Sequence, residues 1–433
     1  MNDELENRLK RRRRRIRNQT IAYAVTLVVM ALIIVGAYLG IRTAVRHFKN
    51  YNEKVSDAIE EAEANASAAA EQESAVASAG QTQESAEPQT ESAETQDKAD
   101  PIDELVEALI NEMSMEQMVA GMFMVSPESL TGVGKVIQAG ESTKNAISQN
   151  PVGGLIYSAA SYQSDEQFSQ MLVNTMGFSE FPLFLAVSKE CGAGDSYGVE
   201  ATQPASEITD SDSAYEAYSA IAQKLSSYGV NMDFAPVAEV VSEDGDASLQ
   251  GRTFGSDASA AAPFVNAAVQ SMQENEVSAV LQKFPGISDK AGTKSLEELN
   301  NSEFIVYSMA IQNGVDCIMV SNVSASGATG EDKPSSLSQA MITDVLRGSL
   351  GFDGVVITDR LNDEKITSKY NSAEAAVQAI QAGADILLEP QDYAEAYEGV
   401  LRAVEDGTIS AERIHESIYR IYRVKYKNVL EEE

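Results

Sequence analysis

The stretch Gly351-Phe352-Asp353-Gly354-Val355-Val356-Ile357-Thr358-Asp359-Arg360 puts a carboxylate where a short apolar run stops. Val355, Val356 and Ile357 are β-branched, which fits a buried strand. Asp359 then stands at the C-terminal end of that strand, the position where α/β proteins bind ligands and do chemistry. An aspartate there can also cap the next helix, and spacing leaves both roles open. Comparable apolar runs end in Ser188-Lys189-Glu190, Asp233, Lys283, Ser321-Asn322 and Glu389-Pro390. Each group alone could be a cap or an ion-pair member, but together they imply a polar pocket on one face. His47 and His415 are the only histidines, which leaves almost no room for a zinc site or a Ser-His-Asp triad. Neither a metal nor a cofactor is expected. Cys191 and Cys317 are the only cysteines. Their number is compatible with one disulfide without showing it. Cys317, inside an apolar run, reads as a small buried hydrophobe.

The elements that must carry these residues follow from an alternating pattern. From Pro101 onward, short apolar runs alternate with amphipathic stretches. Candidate strands are Val119–Val125, Val152–Tyr157, Leu183–Ser188, Asn231–Ala235, Ser278–Lys283, Cys317–Ser321, Val355–Asp359 and Asp385–Leu388. Helical patterns cover Ser213–Ser227, Ser256–Asn275, Glu303–Asn313, Ala373–Ala382 and Ile409–Lys427. Eight strands with helical crossovers predict an α/β fold, a (β/α)8 TIM-type barrel over residues 101–433, with an open doubly wound sheet as the alternative.

The chain before residue 101 is of a different kind. Residues 1–19 form a basic tail containing Arg8, Lys10, Arg11 to Arg15 and Arg17. Within 20–42, Ile21 to Ile41 is a run of 21 residues without a charge, long enough to span a bilayer. The basic cluster on its N-terminal side predicts a single-pass anchor with a cytoplasmic N-terminus and the rest of the chain outside. The rival reading is a cleaved signal peptide; the length of the run and the cations Arg42, Arg46 and Lys49 that follow it favour the anchor. Residues 43–100, rich in Ala, Ser, Glu and Gln, read largely as a disordered linker. As a flexible coil it would reach ~40 Å on average. Residues 1–49 hold 11 Lys/Arg against 3 Asp/Glu, so the rest holds 21 basic and 63 acidic residues, a net charge of −42. Such a surface repels nucleic acid and suits neutral or cationic partners.

Several motifs in order resemble the N-terminal barrel domain of family 3 glycoside hydrolases, above all the bacterial β-N-acetylhexosaminidases. They are Gly121-Met122-Phe123-Met124-Val125, Val152-Gly153-Gly154-Leu155-Ile156, Gly229-Val230-Asn231 through Ala235-Pro236-Val237, Arg252-Thr253-Phe254-Gly255-Ser256-Asp257, Phe284-Pro285-Gly286, Gly351 to Asp359 and Ala382-Gly383-Ala384-Asp385. The resemblance spans about residues 102–427. It implies that Asp359 is the nucleophile of a retaining hydrolysis, in which a carboxylate attacks the anomeric carbon and water releases the glycosyl-enzyme. It also implies sugar contacts at Glu190, Arg252, Lys283 and Asn322, and a GlcNAc-containing glycan, peptidoglycan among the candidates, as partner.

The same resemblance implies a histidine on the loop after strand five, in a Lys-His-Phe-Pro-Gly-His-Gly pattern. This chain has Gln282-Lys283-Phe284-Pro285-Gly286-Ile287-Ser288-Asp289-Lys290 instead. Asp289 and Glu297 are the nearby carboxyls that could take over acid/base work, Asp289 first. The family's Asp-x-Glu-Gly-Gly is Ser188-Lys189-Glu190-Cys191-Gly192, and the cation of the Lys-His pair has moved by one position. Arg360, next to Asp359, is expected to pair with it. Two readings follow, a membrane-tethered hexosaminidase-type hydrolase and a non-catalytic surface domain that binds glycan or protein; a third is a plain cell-surface scaffold.

Overall fold

The computed structural model describes residues 100–427 except 242–246 and 288, together with no side-chain detail for Ala247, Asp289 and Lys290. The basic tail, the anchor over 20–42 and the linker therefore lie outside the described residues. No helix among the described residues is long and apolar enough to cross a membrane.

Eight parallel strands are present: β1 Phe123–Val125, β2 Gly154–Ile156, β3 Phe184–Val187, β4 Met232–Asp233, β5 Ser278–Phe284, β6 Cys317–Val320, β7 Val355–Thr358 and β8 Leu387–Leu388. Each pairs with the next, and β1 also pairs with β8. The last seam closes through the Ile357–Ile386 bridge, where Thr358 N–H donates to the Ile386 carbonyl (3.0 Å). A ring with no free edge decides for the barrel over the open sheet. Most of the strands are buried along their whole length. That is why they read as continuous apolar runs: one face fills the barrel and the other meets the helices.

All the strands but β5 are shorter than their patterns suggest, and for β1 and β8 the cause is local. Val119 to Gly121 complete the helix Met115–Gly121, which is started by the Ser114/Gln117 capping box, so β1 begins only at Phe123. Asp385 and Ile386 precede β8 because Asp385 serves another purpose. Gly383, at φ +111°, caps the helix Ser372–Ala382 and turns the chain so that Asp385 enters the protein interior.

Asp385 is fully buried. Its Oδ2 accepts from Val356 N–H (2.9 Å) and Arg347 Nη2 (2.5 Å); its Oδ1 accepts from Ser417 Oγ (2.7 Å) and Arg420 Nη1 (3.2 Å), with Arg413 Nη2 at 3.6 Å. Val356 belongs to β7, Arg347 to a π-helix, Ala340–Ser349, and Arg413, Ser417 and Arg420 to the final helix Ala411–Tyr426. Burial pushes the Asp385 carboxyl up, but the three guanidiniums offset this and hold it below the usual carboxylate range. Both cysteines are free and buried.

The final helix also sends Lys425 to the N-terminal ends of β2 and β3. Its Nζ donates to the carbonyls of Gly153 (2.9 Å) and Pro182 (2.8 Å) and lies 4.7 Å from the ring centroid of Phe184. Burial pushes this ammonium from 10.5 down to about 7. Between those values the folded protein has released a proton that the unfolded chain still holds, so this group makes stability rise with pH from about 7 towards 10.5. Lys425→Met keeps the length of the side chain without the proton. In urea unfolding, the stability of the wild type relative to Lys425→Met should increase between pH 7 and pH 9; an unchanged difference would show that Lys425 stays charged.

Candidate active site

The C-terminal ends of the strands bring together the residues singled out in the sequence. Asp359 follows β7, and its N–H continues the ladder to the Val320 carbonyl (2.8 Å). Its Oδ2 accepts from Lys283 Nζ at 2.8 Å. Lys283 reaches it from β5, where the pairing with β6 shifts register between Leu281 and Phe284. Such irregularities re-aim side chains at the rims of barrels. The Gln282–Lys283 and Phe284–Pro285 peptide bonds are cis.

The expected pairing of Arg360 with Asp359 takes another form. Only the backbone N–H of Arg360 donates to Asp359 Oδ1 (2.8 Å). Its guanidinium turns to Glu389, Nη1 to Oε2 3.9 Å.

Glu190, beyond β3, and Arg252, on the loop between β4 and β5, face each other as a two-pronged pair with Nε–Oε2 and Nη2–Oε1 both 2.7 Å. This fork geometry is the strong form of a carboxylate–guanidinium contact. Gln282 Nε2 adds a longer bond to Glu190 Oε1 (3.3 Å). Asn322, beyond β6, is buried; its Nδ2 donates to the Arg360 carbonyl (2.8 Å) and its Oδ1 accepts from Ser336 Oγ (2.6 Å). Asn322 thus braces the loop that carries Asp359 and Arg360.

Asp289 opens the short helix Asp289–Thr293 on the loop after β5, and its side chain lies outside the described residues. Glu297 is exposed on the helix Leu296–Asn300. Of the histidines, His415 sits on the final helix against Glu107 (3.1 Å), and His47 falls outside the described residues. No group of three or more His, Cys, Asp or Glu that could hold a metal occurs among the described residues. A cleft of about 1050 Å³ lined by Asp103, Asp316, Asp353, Tyr419 and Arg423 lies at the other end of the barrel, where its charges are spent on ion pairs such as Arg423–Asp103 and Lys427–Asp316.

Four further groups shape the site, three of them, Glu389, Lys189 and Asp233, at the ends of the apolar runs seen in the sequence. Glu389 is buried at the end of β8 in the left-handed region, φ +48°, which costs a non-glycine residue about 1–3 kcal/mol. Its carboxylate is held by Ser126 N–H and, more loosely, by Ser129 Oγ (3.4 Å). Lys189 is buried and donates to the carbonyls of Ala193 (3.0 Å) and Gly194 (2.9 Å); burial pushes its ammonium down. Asp233, fully buried, accepts from Lys189 N–H on Oδ1 (2.7 Å) and leaves Oδ2 without a partner. Burial pushes its carboxyl well above 3.8. The charge of Glu239, also buried, faces the loop after β5, accepting from Ile287 N–H (2.5 Å).

Chemically, the arrangement offers one partly accessible carboxylate in an ion pair, flanked by cations and by a forked Glu–Arg contact. It suits a polyhydroxylated ligand and can supply a nucleophile.

Comparisons with known proteins identify the family. Residues 106–424 match the glycosyl hydrolase family 3 N-terminal domain. An uncharacterised secreted glycosyl hydrolase of Arthroderma benhamiae is 28% identical over 306 residues, covering 65% of this chain and 86% of the relative. A β-N-acetylglucosaminidase/β-glucosidase of Cellulomonas fimi is 28% identical, over 56% of this chain and 47% of its own length. A β-hexosaminidase of Mycobacterium tuberculosis is 28% identical, over 48% and 57%. Among solved structures, a family 3 β-N-acetylglucosaminidase from a Paenibacillus species superposes with a TM-score of 0.66 at 28% identity, covering 74% of this chain and 63% of that one. Several of these relatives therefore extend well beyond the part that this chain spans.

The orphaned oxygen of Asp233 yields a test. Its folded carboxyl keeps a proton that the unfolded chain gives up above about 3.8, so this group makes stability fall as pH rises from there. Asp233→Asn carries no such proton. The stability of Asp233→Asn relative to the wild type should climb between pH 4 and pH 7 in urea unfolding, and a constant difference would show that Asp233 is ionised in the fold.

Proposed function

Because this chain belongs to glycosyl hydrolase family 3, with its residues 106–424 forming that family's N-terminal domain, we propose that it acts on N-acetylglucosamine-containing glycans at the Asp359 pocket by a retaining mechanism. The observation that carries this reading is Asp359 itself, partly accessible at the end of β7 and 2.8 Å from Lys283. Relatives named as β-hexosaminidase and β-N-acetylglucosaminidase support the choice of sugar.

The sugar displaces Lys283 from Asp359 and exchanges one charge-assisted contact for hydrogen bonds to its hydroxyls. The Asp359 carboxylate attacks the anomeric carbon, the bond from that carbon to the leaving oxygen breaks, and the leaving oxygen takes up a proton. A water then gives a proton to the same acid/base group and its oxygen displaces Asp359. We assign the proton transfer to Asp289, on the loop after β5. Glu190 and Arg252 fix the sugar side of the pocket, and Asn322 holds the Asp359 loop in place. In this reading residues 20–42 anchor the chain in the cell membrane with the N-terminus cytoplasmic and the barrel outside, within reach of wall glycans.

A second reading, glycan binding without turnover, is favoured by one specific contact. The Lys283–Asp359 pair stabilises the resting carboxylate and opposes its release for attack.

An activated aryl N-acetyl-β-glucosaminide separates the two, because its leaving group needs little protonation. The full-length chain should release a burst of aryl alcohol and carry a glycosyl adduct on Asp359 by mass spectrometry; Asp359→Ala should do neither. Asp289→Asn should slow hydrolysis of unactivated diacetylchitobiose by about 10²–10⁴-fold while sparing the first step on the aryl substrate. Sugar binding with no burst and no adduct would leave the second reading standing alone.

A further inference from the structure

Three ion pairs line one arc of the C-terminal face, and all are built the same way round. Arg252 pairs with Glu190 (2.7 Å), Lys283 with Asp359 (2.8 Å) and Arg360 with Glu389 (3.9 Å). In each, the cationic side chain is the more exposed: 36% against 10%, 23% against 13% and 52% against 5%. The pairs are also contiguous. Gln282, next to Lys283 in sequence, donates to Glu190 (3.3 Å), Asp359 accepts from the Arg360 backbone N–H (2.8 Å), and the Arg360 charge acts on Tyr197 on the loop after β3.

A ligand descending on this arc meets guanidinium and ammonium groups first, with the carboxylates set behind them. Each pair acts as a dipole with its positive end outward. The chain as a whole carries a formal charge of −34, so an outward row of cations stands against its average surface. At physiological salt that distant charge is screened beyond about 8 Å, and contact-range cations decide what the pocket accepts. A planar guanidinium fork matches a carboxylate. Arg360 is the best placed to offer one, since it is the most exposed of the three and its own pair is the longest.

We propose that the pocket prefers a glycan bearing a carboxylate, recognised by Arg360 with Lys283 and Arg252 alongside. This names the substrate class within the glycan-directed reading above and rests on it.

Calorimetric titration of the full-length chain with diacetylchitobiose and with its C6-carboxylated counterpart tests the preference. The carboxylated sugar should bind about tenfold more tightly at low salt, the order of one charge-assisted contact, and the ratio should shrink as sodium chloride is added. Arg360→Gln should bring the ratio to about one. Arg402→Gln, which alters an exposed cation on the helix Tyr393–Glu405 away from the arc, should leave the ratio intact. Equal binding of both sugars by the wild type would overturn the carboxylate preference while keeping the glycan-directed reading. Failure to bind either sugar would remove both.

Discussion

The fold hangs on a single buried carboxylate. Asp385 sits between the last two strands and accepts hydrogen bonds from the backbone of β7, from Arg347 of the π-helix and from Ser417 and Arg420 of the final helix. These contacts draw the π-helix and the last helix onto the seam where β7 meets β8, the seam with the sparsest ladder. A buried charge is tolerable only while its partners remain, and removing one member of such a group costs about 3–5 kcal/mol. The position of Asp359, three residues after Val356 and just beyond the end of β7, is therefore set by an interaction at the opposite end of that strand.

At the functional end the organising feature is again charge held by charge, with a different purpose. Asp385 is saturated and inaccessible. Asp359 is partly accessible, while Glu190 and Glu389 are buried behind more exposed cations. Asn322 spends both ends of its amide on neighbours, so the loop after β7 is fixed without drawing on the charged groups. The site is thus rigid in its backbone and exchangeable in its ion pairs, a combination that suits a polar ligand able to replace one partner by another.

Much of this was legible in the residues. Short apolar runs alternating with amphipathic stretches read as parallel strands with helical crossovers, and all eight positions were readable. Their ends were less so. Val119 to Gly121 are apolar enough for a strand, yet the Ser114 cap makes them helix. The π-helix over 340–349 has no mark in composition. Asp359, Glu190, Arg252, Lys283 and Asn322 could be singled out because strand ends are readable and the family motifs fall there. Which cation faces which carboxylate was not readable. Arg360 adjoins Asp359 in the chain but diverges from it in space, while Lys283, 76 positions away, supplies the contact. The left-handed backbone of Glu389 and the orphaned oxygen of Asp233 depend on tertiary packing and leave no pattern.

The shifted register in β5 bears on how this protein can change over time. In a regular strand, moving a charged residue by one place carries it through the sheet to the other side, so a displaced cation is a lost cation. Beyond Leu281 that alternation no longer holds, and order along the chain ceases to dictate direction in space. Gln282 reaches Glu190 and Lys283 reaches Asp359, so sliding a positive charge by one position along this segment changes the carboxylate it meets. The stretch from Gln282 to Phe284 is a place where motif matching and spatial equivalence part company, and where a shift of one letter moves a charge from one ion pair to another.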